Sequence, residues 1–192
     1  QSDQGLRFSL KDLAVDSGSF RVELDRSDQL MLDNQAYATL RPGRPIHVLV
    51  VTPGNRALEK SLSTVAVRSL ASVRFESPDM IATKPANPSA IRFEDFDLAI
   101  FDQCKPTEMP PTNTLFIGEA PPSNDWSFGE ASGPIQLIDV DRSHPMTSFL
   151  EMGNIRIVEG KSITPPESGQ ILIRANNGPV FAVAPRGPYQ DA

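Results

Sequence analysis

The sequence predicts an α/β fold with a mostly parallel sheet flanked by helices and antiparallel β additions at both ends. Three nearly continuous apolar runs, at 46–51, 98–101 and 114–117, are typical of strands buried on both faces. An amphipathic run follows the first of them, as in a strand–turn–helix unit. Alternating apolar and polar residues near both termini indicate half-buried strands. The three apolar runs are therefore expected to be neighbouring parallel strands.

Residues 1–42 are predicted to be a β-rich segment, part of a β-sandwich-type domain, and residues 43–192 to form the α/β domain. Apolar residues alternate with polar ones at Leu6/Phe8/Leu10 and at Phe20/Val22/Leu24, which indicates two short strands. A third, with the apolar residues Tyr37/Leu40, follows a turn at Asp33-Asn34. Three such strands cannot bury a core of their own. We expect them to pair as an antiparallel unit that docks on the α/β domain or on a second copy of the chain, held by the stiff linker 41–45.

The first apolar strand is expected to lead into a helix. Asn55 is a suitable N-cap residue. The helical spacing of Leu58, Leu62, Val65 and Leu70 predicts that one face packs on the sheet. A second strand is expected at 73–75, and the proline-containing stretch 77–92 is expected to be mostly loop.

The C-terminal third is predicted to add short strands at 135–138, 155–157, 171–173 and 180–183. Asn176-Asn177-Gly178 predicts a hairpin between the last two, because Asn-Gly tolerates positive φ. Pro145 is expected to begin a short helix.

Composition limits the classes of partner. The net charge is −6, which disfavours binding to nucleic acid or to an anionic membrane, since both need a positive surface. The longest apolar run is far shorter than a membrane span. Because the chain begins with Gln1 rather than Met, it is expected to be a fragment of a longer protein.

Cys104, the single cysteine, follows the strand at 98–101 and is a candidate nucleophile. An activated thiol needs a nearby base or a helix N-terminus. Pro106 follows two residues later, and the segment lacks the glycines of a nucleophile elbow. Cys104 is therefore interpreted as an ordinary thiol.

His144 lies close to Asp139 and Asp141, which invites a metal or acid–base interpretation. Metal sites need three or four ligands, and the only other histidine is His47, inside a predicted strand. The favoured interpretation is that Ser143 or His144 caps the helix beginning at Pro145. Trp126, on a long loop, is interpreted either as an anchor for a partner or as a hydrophobic lid over the sheet.

A ligand site is predicted at the carboxyl ends of the parallel strands, where open α/β sheets usually bind ligands. Its candidate residues are Thr52, Gly54, Asn55, Asp102 and Gly118. The loop Thr52-Pro53-Gly54-Asn55 is neither a Walker loop nor a dinucleotide-binding turn, so it names no cofactor. No catalytic residue, metal site or cofactor is assigned.

Several segments resemble one protein family. They are 33–38 (Asp-Asn-Gln-Ala-Tyr-Ala), 46–55 (the first strand with its Thr-Pro-Gly-Asn turn), 96–102 and 113–118. The family comprises large bacterial membrane-anchored proteins of the aerotolerance (Bat) type with a von Willebrand A domain. In these proteins a β-rich stretch precedes a domain similar to class I glutamine amidotransferases. The resemblance covers most of residues 20–183.

The resemblance implies a flavodoxin- or amidotransferase-like fold without amidotransferase chemistry. The Gly-x-Cys-x-Gly elbow, the His-x-Glu partner and the Asp-x-Ser-x-Ser signature of the A domain are all absent from the sequence. The segment from Asp141 to Pro145 is similar to the Asp…His-Pro turn of amidotransferase-like domains of the trehalose-utilisation type.

The function expected from the sequence is a non-catalytic interaction or scaffolding module with a protein partner, in a membrane-anchored bacterial parent. The domain itself is expected to be soluble and extracytoplasmic, and to meet the membrane only through parts of the parent. The alternative is a small-ligand-binding domain that uses the strand-end crevice. A hydrolase-like enzyme is the third reading. A large exposed apolar patch would favour an interaction module, whereas a deep pocket with converging polar groups would favour a ligand site.

Overall fold

The computed structural model describes residues 17–24, 34–40, 44–82, 91–153 and 155–192. Residue contacts divide the chain into two compact units, Gln1–Arg44 and Pro45–Ala192, and each is described by itself.

The first unit contains an antiparallel pair of strands, β1 (Gly18–Glu23) and β2 (Gln35–Leu40). Phe20 lies opposite Ala38, and Val22 lies opposite Ala36, so apolar residues share one face of the ribbon. This confirms the predicted antiparallel pairing of the second and third strands. The first predicted strand, at Leu6/Phe8/Leu10, lies outside the described residues, and the docking of the unit stays a prediction.

The second unit is built mainly from strands. In chain order they are β3 (Ile46–Val51), β4 (Ala71–Glu76), β5 (Leu98–Asp102), β6 (Asn113–Ile117), β7 (Ser127–Ser132), β8 (Leu137–Val140), β9 (Gly160–Thr164), β10 (Gln170–Ala175), β11 (Gly178–Arg186) and β12 (Tyr189–Asp191). Eight of them form one sheet in the order β4-β3-β5-β6-β12-β11-β10-β8, while β7 and β9 form a separate antiparallel pair. The mixed α/β class is confirmed.

One half of the large sheet is parallel. β3 pairs with β4 and β5, β5 pairs with β6, and β6 pairs with β12, all in parallel. The prediction that the three apolar runs are neighbouring parallel strands is confirmed. Counted along the chain, these five strands stand in the order 2-1-3-4-5. The chain therefore leaves β3 on one side and returns as β5 on the other, which places a topological switch point between these two strands.

The parallel strands are apolar throughout because both of their faces are covered. Val48, Val50 and Ile100 form a buried cluster on one face, while Leu49, Val51 and Phe101 form another on the opposite face. Helical segments contribute to both covers, but they are short. Among the described residues the α-helices are α1 (Arg56–Leu62), α2 (Val65–Leu70) and α3 (Asp79–Ala82).

The helix predicted after β3 is present but broken. Asn55 caps α1 as expected, since its side chain accepts a hydrogen bond from the Leu58 amide at 3.1 Å. Thr64 then caps a second helix, α2. This break changes the angular phase of the apolar residues, so Val67 packs towards the sheet while Val65 and Leu70 are exposed, at 84% and 69%. The expectation that Val65 and Leu70 face the sheet is wrong. The expected loop at 77–92 contains the single-turn helix α3.

The other half of the sheet is antiparallel. β10 and β11 form the hairpin predicted from Asn176-Asn177-Gly178, with Gly178 at φ 124°. β8 begins two residues later than predicted and pairs antiparallel with β10. Around 155–157, only an isolated bridge between Ile157 and Ile135 is present, so the predicted strand there is wrong.

The helix predicted at Pro145 is also absent, and residues 142–149 form turns and bends instead. The buried Thr147 hydroxyl donates to the carbonyl of Asp141, and His144 Nδ1 accepts a hydrogen bond from the Met146 amide at 3.3 Å. His144 thus has the local capping role that was expected, but in a turn. The Ser148 amide makes one i+4 hydrogen bond to the His144 carbonyl, at 2.9 Å, but the turn does not extend into a helix.

Trp126 acts as a lid and not as an exposed anchor. It is 6% exposed and packs against Ala182 and Ala184 of β11. The strand β7 follows it directly, where the sequence predicted only loop. Its partner β9 was also missed, because neither strand has strong apolar alternation.

Candidate functional site

The predicted strand-end site is centred on a hydrogen bond between the ends of β3 and β5. The Thr52 hydroxyl donates to Asp102 Oδ2 at 2.6 Å, and it accepts a hydrogen bond from the Gly54 amide at 3.1 Å. Both side chains are buried, with Asp102 fully so. The structure therefore brings together three of the five predicted residues, at the switch point of the sheet.

The second oxygen of Asp102 has no hydrogen-bond partner among the described residues. Within the described part of the chain, Oδ1 is buried and makes no hydrogen bond. A buried polar atom left unsatisfied costs about 1–3 kcal/mol, and such atoms are uncommon enough in folded proteins to call for an explanation. Asp102 is thus the most unusual polar group at this end of the sheet.

The remaining two predicted residues have different roles. Asn55 uses its side-chain oxygen to cap α1, so that atom is already occupied. Gly118 follows β6 and has φ 79°, and a Cβ added there would lie 3.6 Å from Cγ of Gln103. Gly118 therefore borders the segment that follows Asp102.

Gln103, which sequence analysis did not single out, has the left-handed value of φ 52°. A left-handed residue other than glycine is uncommon, and such residues concentrate at functional sites. Its amide donates to the Ile117 carbonyl at 2.8 Å, which fixes the turn between β5 and the end of β6. Its residue type gave no signal for this conformation.

Cys104 lies in an environment that disfavours the thiolate. Its Sγ donates to the Val51 carbonyl at 3.4 Å. Burial is the first cause that raises the pKa of the thiol, and the negative charges of Asp102 and Glu119 raise it further. The direction agrees with the interpretation of Cys104 as an unactivated thiol.

His144 and Asp141 lie in the turn after β8. The pKa of Asp141 is lowered, first by the hydrogen bond from the Ser143 hydroxyl and next by that from the Ser143 amide. Gln170 also donates to Asp141, at 2.8 Å. His47, in β3, is exposed. Among the residues that the structure describes, no group of three or more His, Cys, Asp or Glu side chains is arranged to hold a metal ion.

A groove of about 450 Å³ lies beside the predicted site. Its walls come mainly from β6, β7, β9 and β11, with Phe116, Phe128 and Phe181 among the lining residues and Gly118 at its border. Lys161 Nζ lies 5.7 Å from the centre of the Phe128 ring. Sequence analysis missed this groove because it depends on the unpredicted pairing of β7 with β9.

A group of exposed apolar side chains lies on β8 and on the segment that follows it. β8 is the last strand of that sheet in the described part of the chain, and the segment that follows it exposes many large apolar side chains. We name this the edge surface; it consists of Ile138, Met146, Phe149, Leu150, Ile155 and Val158. Phe149 is 91% exposed and Val158 is 85% exposed.

Local contacts hold this segment beside β8. The bridge between Ile135 and Ile157 returns the chain to the start of the strand, and Arg142 donates to the Leu150 carbonyl at 3.4 Å. Exposed apolar residues concentrated in this way are typical of interaction sites, because each is left in water until a partner covers it.

Comparison of the chain with protein-family models, with curated proteins and with solved structures finds no match. No helix in the described ranges is long and apolar enough to cross a membrane.

Proposed function

We propose that this chain is a non-catalytic interaction module of a larger, membrane-anchored bacterial protein, and that it binds a protein partner through the edge surface. The observation that carries the proposal is the concentration of exposed apolar side chains on and after β8, which is the edge strand of the sheet in the described ranges. An open strand also offers backbone groups to which an extended partner segment can add.

The parallel half of the sheet supports a finer proposal about ancestry. The strand order 2-1-3-4-5 is that of flavodoxin-like doubly wound sheets. We propose that the unit 45–192 derives from a flavodoxin- or amidotransferase-like domain that lost helical cover and gained an antiparallel half. The same proposal includes a membrane-anchored parent protein of the Bat and von Willebrand A type, which carries this domain on its extracytoplasmic side. The sequence resemblance supports this part.

The chemistry around Cys104 supports the non-catalytic part of the proposal. A nucleophilic cysteine needs a lowered pKa, whereas burial and two carboxylates raise that of Cys104. The thiol is also directed to a backbone carbonyl instead of to a base.

Substitutions on the edge surface test the proposal. The native chain and a Phe149→Asp/Val158→Asp variant are immobilised and exposed to detergent-solubilised membrane protein from the source bacterium. Sedimentation velocity on the free chains tests for a second copy as the partner. We expect the native chain to bind a partner or to self-associate, with an affinity that falls at least tenfold in the variant, since burying each apolar side chain contributes about 1.5–3 kcal/mol.

Val65→Asp is the matched control, because Val65 is 84% exposed but lies on α2. It should leave binding unchanged. Binding that is lost equally in the control, or that survives the double substitution, contradicts the proposal.

The alternative function, binding of a small ligand at the strand ends, is favoured by one specific observation. This is Oδ1 of Asp102 at the switch point, which is buried and has no hydrogen-bond partner in the part of the chain that the structure describes. Thr52 and Asn55, in contrast, use their side-chain oxygens within the protein, so they do not converge on an open pocket.

A further inference from the structure

The groove between β6, β7, β9 and β11 has the size and the lining of a small-ligand site. Its volume of about 450 Å³ lies within the range of such sites, about 300–1,000 Å³. Phe116, Phe128 and Phe181 line it, and each of them is only half-buried. Phe116 also stacks on the buried Phe101, with the ring centroids 5.0 Å apart, which holds this part of the wall in place. The groove therefore offers accessible aromatic surface to a ligand.

Two oppositely charged residues lie beside this aromatic surface. Glu159 and Lys161 both line the groove, and only Gly160 separates them, so their Cα atoms are at most about 7.6 Å apart. Neither belongs to an ion pair in the described part of the chain. Nζ of Lys161 lies 5.7 Å from the centre of the Phe128 ring, which keeps the ammonium group at the groove wall. One anion and one cation, both unpaired among the described residues, thus adjoin the same cavity.

The third charged side chain of the lining is already balanced. Glu119 pairs with Lys105, at 3.7 Å between Oε2 and Nζ. One negative and one positive side chain therefore remain for a ligand. A purely anionic ligand would be attracted by Lys161 but repelled by Glu159, and a purely cationic ligand would meet the reverse. A zwitterion is attracted by both and brings no net charge into the groove.

We propose that the groove binds a free α-amino acid with an aromatic side chain. Its ammonium group donates to the Glu159 carboxylate, and its own carboxylate accepts from Lys161. Both groups of an α-amino acid are attached to one carbon atom, which matches the short separation of Glu159 and Lys161. The aromatic side chain packs among the three phenylalanines, where ring contacts add to the effect of apolar burial. The inference goes beyond the function proposed above and depends neither on the edge surface nor on Asp102.

Four probes separate the contributions of the two charges and of the ring. They are L-phenylalanine, phenylalaninamide, which lacks the carboxylate, N-acetylphenylalanine, which lacks the ammonium group, and glycine, which lacks the ring. Saturation-transfer NMR with the full chain gives the Kd of each probe at pH 6, where a free α-amino group is protonated. The method detects weak binding directly, so no reporter group in the protein is needed.

We expect phenylalanine to bind at least fivefold more tightly than phenylalaninamide or N-acetylphenylalanine, and at least tenfold more tightly than glycine. Lys161→Gln should weaken the binding of phenylalanine at least threefold and leave that of phenylalaninamide unchanged. Glu159→Gln should weaken phenylalanine similarly and leave N-acetylphenylalanine unchanged. Lys60→Gln and Glu167→Gln are the matched controls, because both residues are exposed and neither lines the groove. Circular dichroism establishes that each variant is folded.

Each part of the proposal has an outcome that overturns it. Phenylalaninamide that binds as tightly as phenylalanine overturns the role of Lys161, and N-acetylphenylalanine that does so overturns the role of Glu159. Equal binding of glycine and phenylalanine overturns the contact with the aromatic wall. The absence of saturation by phenylalanine, or a loss as large in the control variants as at the groove, overturns the site itself. If a groove variant does not fold, the comparison of the four probes on the native chain still decides the ligand class.

Discussion

Replacing Thr52 by valine should destabilise the unit 45–192 by about 2–4 kcal/mol. The change keeps the shape of the side chain but removes the donor to Asp102 Oδ2 and the acceptor of the Gly54 amide. A hydrogen bond to a charged group contributes about 1.5–3 kcal/mol, and an amide bond about 1 kcal/mol. Because Oδ1 already has no partner among the described residues, the substitution leaves the buried carboxyl group without any hydrogen bond.

The assay is urea unfolding followed by fluorescence of the single tryptophan. Trp126 is buried in the unit 45–192, so its emission reports on that unit. The expected loss corresponds to a fall in Tm of roughly 5–15 °C, at about 2–4 °C per kcal/mol for a domain of this size. Thr164→Val is the control, since Thr164 is exposed on β9 and its hydroxyl makes no hydrogen bond within the described residues.

A double-mutant cycle with Asp102→Asn checks the cause. If the Thr52 hydroxyl acts through the carboxyl group, its loss should cost about 1–3 kcal/mol less in the Asp102→Asn background. A cost below about 0.5 kcal/mol for Thr52→Val alone would refute the reasoning, because a bond between two buried side chains could not be worth so little.

Three further predictions concern other parts of the unit 45–192. Burial and nearby carboxylates raise the pKa of the Cys104 thiol from its ordinary value, which is about 8.5. Its alkylation should therefore become fast only above about pH 8.5, and rapid alkylation at pH 6 would contradict this. Because hydrogen bonds lower the pKa of Asp141, its ionised form is favoured in the folded state. That stabilisation should be complete above the unfolded pKa, near 4, and be lost as pH falls through the lower folded pKa. The Tm difference between the native chain and Asp141→Asn should therefore vanish in acid, and a difference independent of pH would count against it. A Cβ at Gly133 would overlap the Val158 carbonyl oxygen, so Gly133→Ala should lower the free energy of unfolding by more than about 2 kcal/mol. Gly153 has open space around its Cβ position, so Gly153→Ala should change it by less than about 1 kcal/mol. Equal effects in urea titrations would refute the packing argument.

The sequence by itself determined three neighbouring strands in the parallel half of the sheet. The runs 46–51, 98–101 and 114–117 are nearly all apolar, and runs this short between turn residues are typical of strands covered on both sides, so their assignment needed no tertiary information. The cap at Asn55 and the hairpin at Gly178 were equally local, since each depends on the conformational preference of one residue.

Tertiary structure decided the features that depend on contacts distant along the chain. β7 pairs with β9 across more than 25 residues, and β12 joins β6 from the far end of the chain. The local patterns of β7, β9 and β12 are not strong enough to predict these strands. The turn at Pro145 is closed by the buried Thr147, where the local sequence favoured a helix.

The candidate site shows the same division. Sequence placed Thr52, Asp102 and Gly118 at strand ends, because the strands themselves were predictable. Two features required the folded chain. The Thr52 hydroxyl donates to one oxygen of Asp102, while the other oxygen has no partner among the described residues. Gln103, the next residue, adopts a left-handed conformation. Hydrogen bonding between strands 50 residues apart, and the burial that makes it important, are properties of the assembled sheet, whereas strand formation follows from the local pattern of apolar residues.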